Sequence, residues 1–291
     1  MYIIKYKALF IGLSVILTLT SLFLVYHFDI KRGIDFTGGT VVDIIYDATT
    51  SPALSVADFK SKNITPYKTG ENTYRFVSPE TYDQAGAYIA LLANPDNAHP
   101  FKLAQVSTVG PTLGAELTKK AIIALVVVIL AILAFIAFSF RAVSRPVASW
   151  KYGVIAMVTL LHDIIVPTGV YALLSHYYGA EVDTLFVIAL LTIVGISISD
   201  KIVVFDRIRE NLKGAHGKQS FDDVVGMSLK QTFTRSINTS VTVVLALLAL
   251  FFFGPSLTKW FTLTLIVGMI VGTYSSIFVA SPLLTVWNKG K

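Results

Sequence analysis

The first feature of this sequence that could do chemistry is a set of ionisable side chains inside long apolar runs. A charge in hydrocarbon is costly, so each such residue is a candidate for function. The run from Gly195 to Asn211 reads Gly-Ile-Ser-Ile-Ser-Asp-Lys-Ile-Val-Val-Phe-Asp-Arg-Ile-Arg-Glu-Asn. On a helix, Asp200 lies roughly 9 Å inward of Asp206 at about 1.5 Å per residue. Asp206, Arg207, Arg209 and Glu210 mark the water-facing end. The stem of Asp200 is too short to reach that water, so its carboxylate needs a partner, a water molecule or a proton. Lys201 has a longer stem and reads as an amine that snorkels to the surface. Ser197 lies one turn from Asp200 on the same face. Gly195, Ser197 and Ser199 are small enough for close helix approach.

A second polar patch opens a later apolar run as Arg235-Ser-Ile-Asn-Thr-Ser-Val-Thr242. Arg235, Asn238, Thr239 and Thr242 share one helical face by their spacing. If the two helices pack antiparallel, Arg235 reaches the depth of Asp200. A carboxylate beside a guanidinium ionises easily, and a buried one without it holds its proton. Two readings follow: a proton switch whose spacing changes, or a static ion pair. A third run carries His162-Asp163 near its middle, then Pro167. Helical neighbours point about 100° apart, so both cannot face one partner. The pair is either polar packing at a kink or part of a proton path. In the last run, Gly268-x-x-x-Gly272 followed by Ser275 and Ser276 favours tight helix packing.

The elements that position these residues are membrane helices. The 291 residues are 54% hydrophobic and only 14% charged, where a soluble domain carries about 25% charged residues. With no cysteine in the chain, disulfides, zinc-thiolate sites, iron–sulfur clusters and cysteine nucleophiles are excluded, and no metal site is expected. The net charge of +6 reads as an orientation signal rather than a nucleic-acid footprint. Spans of about 20 apolar residues are predicted at Ala8–Tyr26, Ala121–Phe140, Tyr152–Leu174, Thr184–Phe205, Ile237–Phe253 and Phe261–Trp287. The first reads as an uncleaved anchor, because bulky Leu24-Val25-Tyr26-His27 stands where a cleavage site needs small residues. Lys5, Lys7, Arg141, Arg145, Lys151, Arg207, Arg209, Lys213, Lys218, Lys230, Lys289 and Lys291 would all lie on one side, so both termini are expected in the cytoplasm. Ser220-Phe-Asp-Asp223 starts a helix in the 207–235 loop, with Val224, Val225 and Leu229 expected to lie on the membrane surface.

Three segments follow: residues 1–27 as N-terminus and first span, 28–119 as an external domain, and 120–291 as the remaining five spans. Within 28–119, strands are predicted at 40–46, 64–68, 73–77 and 101–107, with a turn at 69–72. Helices are predicted at 55–61, capped by Ser55, and from Ser78-Pro79-Glu80 to about Ala93. The order βαββαβ suits a small α+β domain of ferredoxin-like type. His99 is its one histidine, and nothing catalytic gathers there, so a binding module is expected.

Two stretches, Gly33-Ile-Asp35-Phe36-Thr-Gly38-Gly39-Thr40 and Gly195–Asn211 with Asp206-Arg207, resemble signatures of the bacterial SecD/SecF export factors. Thr234-Arg-Ser-Ile-Asn-Thr-Ser240 and His162-Asp163 do so as well, and the order of spans and external domain agrees. The external region is of the SecF size. The resemblance implies half of an RND-type transporter fold, six transmembrane helices with one small ferredoxin-like periplasmic domain, in the bacterial cytoplasmic (inner) membrane. It implies pairing with SecD beside the SecYEG channel, with YajC and YidC as further candidate partners and unfolded preprotein as the cargo. It implies use of the proton gradient in late, ATP-independent export, with protons and no other cofactor. Asp200 falls on the family's membrane aspartate and Arg235 on its partner arginine, with Thr239 and Ser240 in the same motif. The chain departs at Ser199, where many members have asparagine, and at Phe205, where a small residue is frequent.

Three other functions compete. An RND-like exporter of lipids or small molecules usually carries larger external regions. An intramembrane protease needs a Gly-x-Gly-Asp or Gly-x-Ser-x-Gly motif that is absent, so no enzyme is expected. A passive scaffold would not need Asp200 to titrate.

Overall fold

The computed structural model describes residues 2–46, 56–68, 72–94, 100–139, 148–214 and 219–288. Ser55, most of the 69–72 turn, His99, Arg141, Arg145, Lys218, Lys289 and Lys291 lie outside the described residues. The chain divides into two compact units. One comprises residues 1–30, 125–180 and 185–291. The other comprises residues 31–124 and 181–184.

The first unit is helical. It begins with α1 (Tyr2–Lys5) and α2 (Lys7–His27). The second unit opens with the one-turn helix α3 (Ile34–Thr37) and strand β1 (Gly39–Tyr46). Then come α4 (Val56–Ser61), β2 (Thr65–Lys68), β3 (Thr73–Ser78), α5 (Tyr82–Ala93) and β4 (Phe101–Val109). The remaining helices are α6 (Pro111–Ser139), α7 (Ser149–Tyr178), α8 (Thr184–Gly214), α9 (Phe221–Phe253), α10 (Lys259–Ser275) and α11 (Ser281–Trp287). A π-helical turn, Ser276–Ala280, makes α10 and α11 one continuous rod. Six of these segments are long and apolar enough to cross a membrane.

The sheet order is β2-β3-β1-β4 with every neighbouring pair antiparallel. That is the ferredoxin-like arrangement the βαββαβ order predicts. Alternation in β1 sends Val42, Ile44 and Tyr46 to one face. There they join Phe59 of α4, Phe76 of β3, and Ala85, Ile89 and Ala93 of α5 in a closed core. On the other face Asp43 takes Arg75 of β3 in a bidentate pair, both bonds 2.8 Å. The second helix starts later than expected. Ser78 ends β3, its Oγ accepts from the Glu80 N–H, and Thr81 is the N-cap of α5.

In the helical unit the core runs through Tyr152, Ile155 and Ala156 of α7, Val204, Phe205 and Ile208 of α8, and Val225 and Leu229 of α9. This overturns the expectation that Val224, Val225 and Leu229 lie on the membrane surface, since all three are buried inside the protein. Most of the described residues of the 207–235 segment are correspondingly helical. α8 continues to Gly214 and α9 starts at Phe221, where Ser220 caps it by accepting from the Asp223 N–H at 3.1 Å. Phe205 packs edge-on against Tyr152, ring centroids 5.3 Å apart, so the bulky side chain at this position is a core residue.

Candidate functional site: a buried charge cluster between helices

α7 places Asp163 in the interior with no exposed surface. Its Oδ2 accepts from Lys201 Nζ at 2.5 Å, from Ser197 Oγ at 2.5 Å and from Ser275 Oγ at 2.8 Å. Its Oδ1 faces His162 Nδ1 at 2.9 Å. Lys201 Nζ also donates to Ser197 Oγ. One carboxylate thus joins α7, α8 and the end of α10. Pro167 adds a local effect: lacking an N–H, it removes the helical donor for the Asp163 main-chain carbonyl.

Lys201 is fully buried and does not snorkel, which corrects the sequence expectation. The reason is a carboxylate at its own depth. Asp163 precedes Tyr178, the end of α7, by 15 residues, and Lys201 follows Thr184, the start of α8, by 17. At about 1.5 Å per residue the two lie roughly 22 and 26 Å along antiparallel neighbours from one short link. An ion pair at that depth satisfies both charges, whereas either alone would be strongly unfavourable. The sequence signal was available: a mid-span aspartate requires a counter-charge, and Lys201 is the cation at matching depth. His162 and Asp163 bond each other, which lets Asp163 keep Lys201 for itself.

The Gly268-x-x-x-Gly272 motif builds this site. A Cβ at Gly268 would fall 2.2 Å from Ile193 Cδ1, and one at Gly272 would fall 3.2 Å from Ser197 Cβ. The two glycines therefore seat α10 on the Ser197 face of α8 and bring Ser275 to Asp163. Of the three small residues proposed for close approach on α8, only Ser197 makes it. Gly195 and Ser199 are exposed.

The predicted Asp200–Arg235 contact is not formed. Among the described residues Asp200 has no ion pair. It is partly buried and lies in the electrostatic field of Lys201 and Arg235. Arg235, Asn238 and Thr239 are exposed, while Ser240 is buried and hydrogen-bonded to Thr273 of α10. α9 is turned so that its Arg235 face looks away from the bundle, because Ser236 and Ser240 form its packed stripe. Asp206 and Arg207 serve as fasteners. Arg207 Nε donates to Gln231 Oε1 at 2.7 Å and Nη1 to Glu210 at 2.5 Å, while Asp206 is exposed near Arg209.

The signature near residue 33 is structural. Gly38 and Gly39 have φ of 76° and 130°. A Cβ at Gly38 would strike Pro111 Cα at 2.7 Å and one at Gly39 the Ser78 carbonyl at 2.4 Å. Phe36 offers its carbonyl to Thr118 at 3.4 Å. Asp35 Oδ2 accepts from the Thr184 N–H at 2.9 Å.

Comparison with known proteins agrees with this architecture. Residues 91–290 match the family model of the protein export membrane protein SecD/SecF, C-terminal. The chain is 38% identical to the protein translocase subunit SecF of Thermobaculum terrenum over 98% of this chain and 93% of that protein. It is 31% identical to the protein translocase subunit SecDF of Bacillus subtilis over 98% of this chain and 37% of that protein. Among solved structures, SecDF from Thermus thermophilus, described as a translocon-associated membrane protein, superposes with a TM-score of 0.83 at 30% identity. That match covers 98% of this chain and 38% of the SecDF chain. The family model covers more than half of the chain and the SecF relatives nearly all of it: this protein is a multi-pass membrane protein of the SecD/SecF protein export family.

Proposed function

We propose that this chain is the SecF-like subunit of a SecDF-type accessory complex of the Sec translocon, using the proton gradient to assist the late, ATP-independent stage of protein export. Its partners on this reading are a SecD-type subunit, the SecYEG channel, YajC and YidC, and the cargo is an unfolded preprotein. It sits in the bacterial cytoplasmic membrane with both termini cytoplasmic and the α+β domain on the far side. The coupled ion is the proton, with no other cofactor.

One observation carries the reading: Asp200, in a membrane-spanning helix, is a partly buried carboxylate with no ion pair among the described residues. It shares the field of Lys201 with Asp163, which already holds that lysine by direct contact. Ionised Asp200 is attracted toward Lys201 and Arg235. Once it takes a proton that attraction is gone, and the balance of charge between α8 and α9 changes. Thr239 and Ser240 lie on the same helix as Arg235, one turn further on, and the Ser240–Thr273 bond carries the change to α10. His162 is buried, and its Nε2 has no hydrogen-bond partner among the described residues; on this reading it lies on the proton path beside Asp163.

The test is Asp200→Asn in sealed membrane vesicles containing the full export machinery and a preprotein already started by ATP. With a proton gradient imposed, the variant should lose the gradient-dependent completion and keep the ATP-driven start. Wild-type completion by the variant would leave a passive scaffold as the better description.

A further inference from the structure

Residues 181–184 link α7 to α8, yet they are part of the α+β unit. Backbone bonds hold them there. The Val182 N–H donates to the Lys31 carbonyl and the Gly33 N–H to the Val182 carbonyl, each at 2.8 Å, forming a parallel bridge between Arg32 and Val182. Asp35 completes the attachment by accepting from the Thr184 N–H at the first turn of α8. The approach at Gly33 is close but not exclusive to glycine: a Cβ there would lie 3.2 Å from the Val182 carbonyl oxygen, a contact that a shift of a few tenths of an ångström relieves. Side chains extend the attachment into the sheet. Glu181 and Asp183 lie in the field of Arg75, which Asp43 of the central strand holds by both carboxylate oxygens. Lys31 also acts on Glu181, and its Nζ sits 5.3 Å from the ring centre of Tyr67 on β2.

Both helices that this link joins carry chemistry near their middles. α7 carries Asp163, and α8 carries Ser197, Asp200 and Lys201. Only Gly179, Ala180, Glu181, Val182 and Asp183 separate the two helices. A link this short has little slack to absorb a displacement of either helix.

We infer that Lys31–Asp35 and Glu181–Thr184 form a clasp that stays closed throughout the working cycle and makes the α7–α8 link move with the α+β domain. Asp35 is its positioning residue. This rests on the proposed proton-driven movement, for which it supplies the mechanical connection.

The chain has no cysteine, so an engineered pair has no competitor. A Cβ at position 33 would be 3.6 Å from Asp183 Cβ, a separation that suits a disulfide, whose usual Cβ separation is about 3.5–4.5 Å. In the full complex, Gly33→Cys with Asp183→Cys should cross-link on oxidation and retain the gradient-dependent export of its reduced form. Asp35→Ala should lower that export about five-fold through loss of the cap, and Asp35→Asn, which still accepts a hydrogen bond, should retain most of it. Oxidising the cysteine pair in the Asp35→Ala background should restore activity, which a merely structural role would not. Export abolished by oxidation and recovered on reduction would mean that the clasp must open, and would overturn the proposal. So would full export by Asp35→Ala at normal abundance. If Asp35→Ala does not accumulate, the oxidised cysteine pair decides alone. Asp200→Asn run alongside separates the two ideas: full export by that variant removes the proton reading itself, whereas its loss beside an active Asp35→Ala removes only the clasp.

Discussion

Asp163 and Lys201 form a pair in which each side chain makes the other's burial tolerable. Removing Lys201 alone leaves a buried carboxylate whose remaining hydrogen-bond partners are Ser197, Ser275 and His162. Lys201→Met should therefore lower stability by about 3–5 kcal/mol, the range for stranding one member of a buried ion pair. The double variant Lys201→Met with Asp163→Asn should recover most of that loss, because no ionised group remains to be stranded. Thermal unfolding of the four proteins of the cycle in one lipid or detergent reads the coupling directly. A Lys201→Met protein as stable as the parent would mean that the pair contributes little. The same residues show why part of the site was legible and part was not. Asp200 announces itself by its short stem in an apolar run. Lys201 misleads, because a lysine five residues from a water-facing run can snorkel unless something at its own depth holds it. Asp163 was visible as a mid-span aspartate at matching depth, and the packing of α7 against α8 turns that match into a contact.

The helices and strands were readable wherever one face is apolar and the other is not. β1 was legible as a β-branched, apolar run, and the ferredoxin-like fold followed from the βαββαβ order of the elements. α9 was harder. Its packed stripe runs Val225, Leu229, Thr232, Ser236, Ser240, a continuous seam whose second half is made of small polar residues. Hydropathy places that half outside the core, so the helix was expected to start again at Ile237 instead of running unbroken from Phe221. The α7–α8 link was equally opaque, because its attachment is made by backbone groups that any sequence carries. Glu181 gives the link a carboxyl whose proton affinity responds to its burial. Burial pushes its carboxyl up to about 7 from an ordinary 4.5, with Asp183 adding to the rise and Arg75 and Lys31 opposing it. A carboxyl raised in the folded state binds its proton more tightly than in the unfolded chain. The clasp is therefore firmest below about pH 4.5 and weakens as pH rises through about 7. Glu181→Gln should remove this dependence. Hydrogen exchange at the Val182 and Gly33 amides, corrected for intrinsic rate, should slow in the variant relative to the parent at pH 8 and match it at pH 5. Equal protection at both pH values would mean that Glu181 does not govern the clasp.

Taken as one molecule, the chain is well packed on some helices and bare on others. The rod of α10 and α11 has two thirds of its most apolar stretch buried, while α2, α6 and α9 have about a tenth or less. Lipid accounts for bare apolar surface on α2 and α6. It does not account for α9, whose exposed face carries Arg235, Asn238, Thr239 and Thr242 in helical register. Polar groups at membrane depth almost always face protein or a water-filled cavity. The Bacillus subtilis relative named SecDF is one chain of which this protein corresponds to a part covering 37%, which supplies a natural occupant for that face: a SecD-type subunit. A single cysteine at position 238 tests it in a chain that otherwise has none. Asn238→Cys should cross-link to the SecD-type partner in membranes, while a cysteine at Ile123 on the exposed apolar side of α6 should not. If Asn238→Cys instead reacted freely with a lipid-soluble thiol reagent and gave no cross-link, the Arg235 face would be open. Asp200 would then lack the enclosure that a proton-binding carboxylate in a membrane requires.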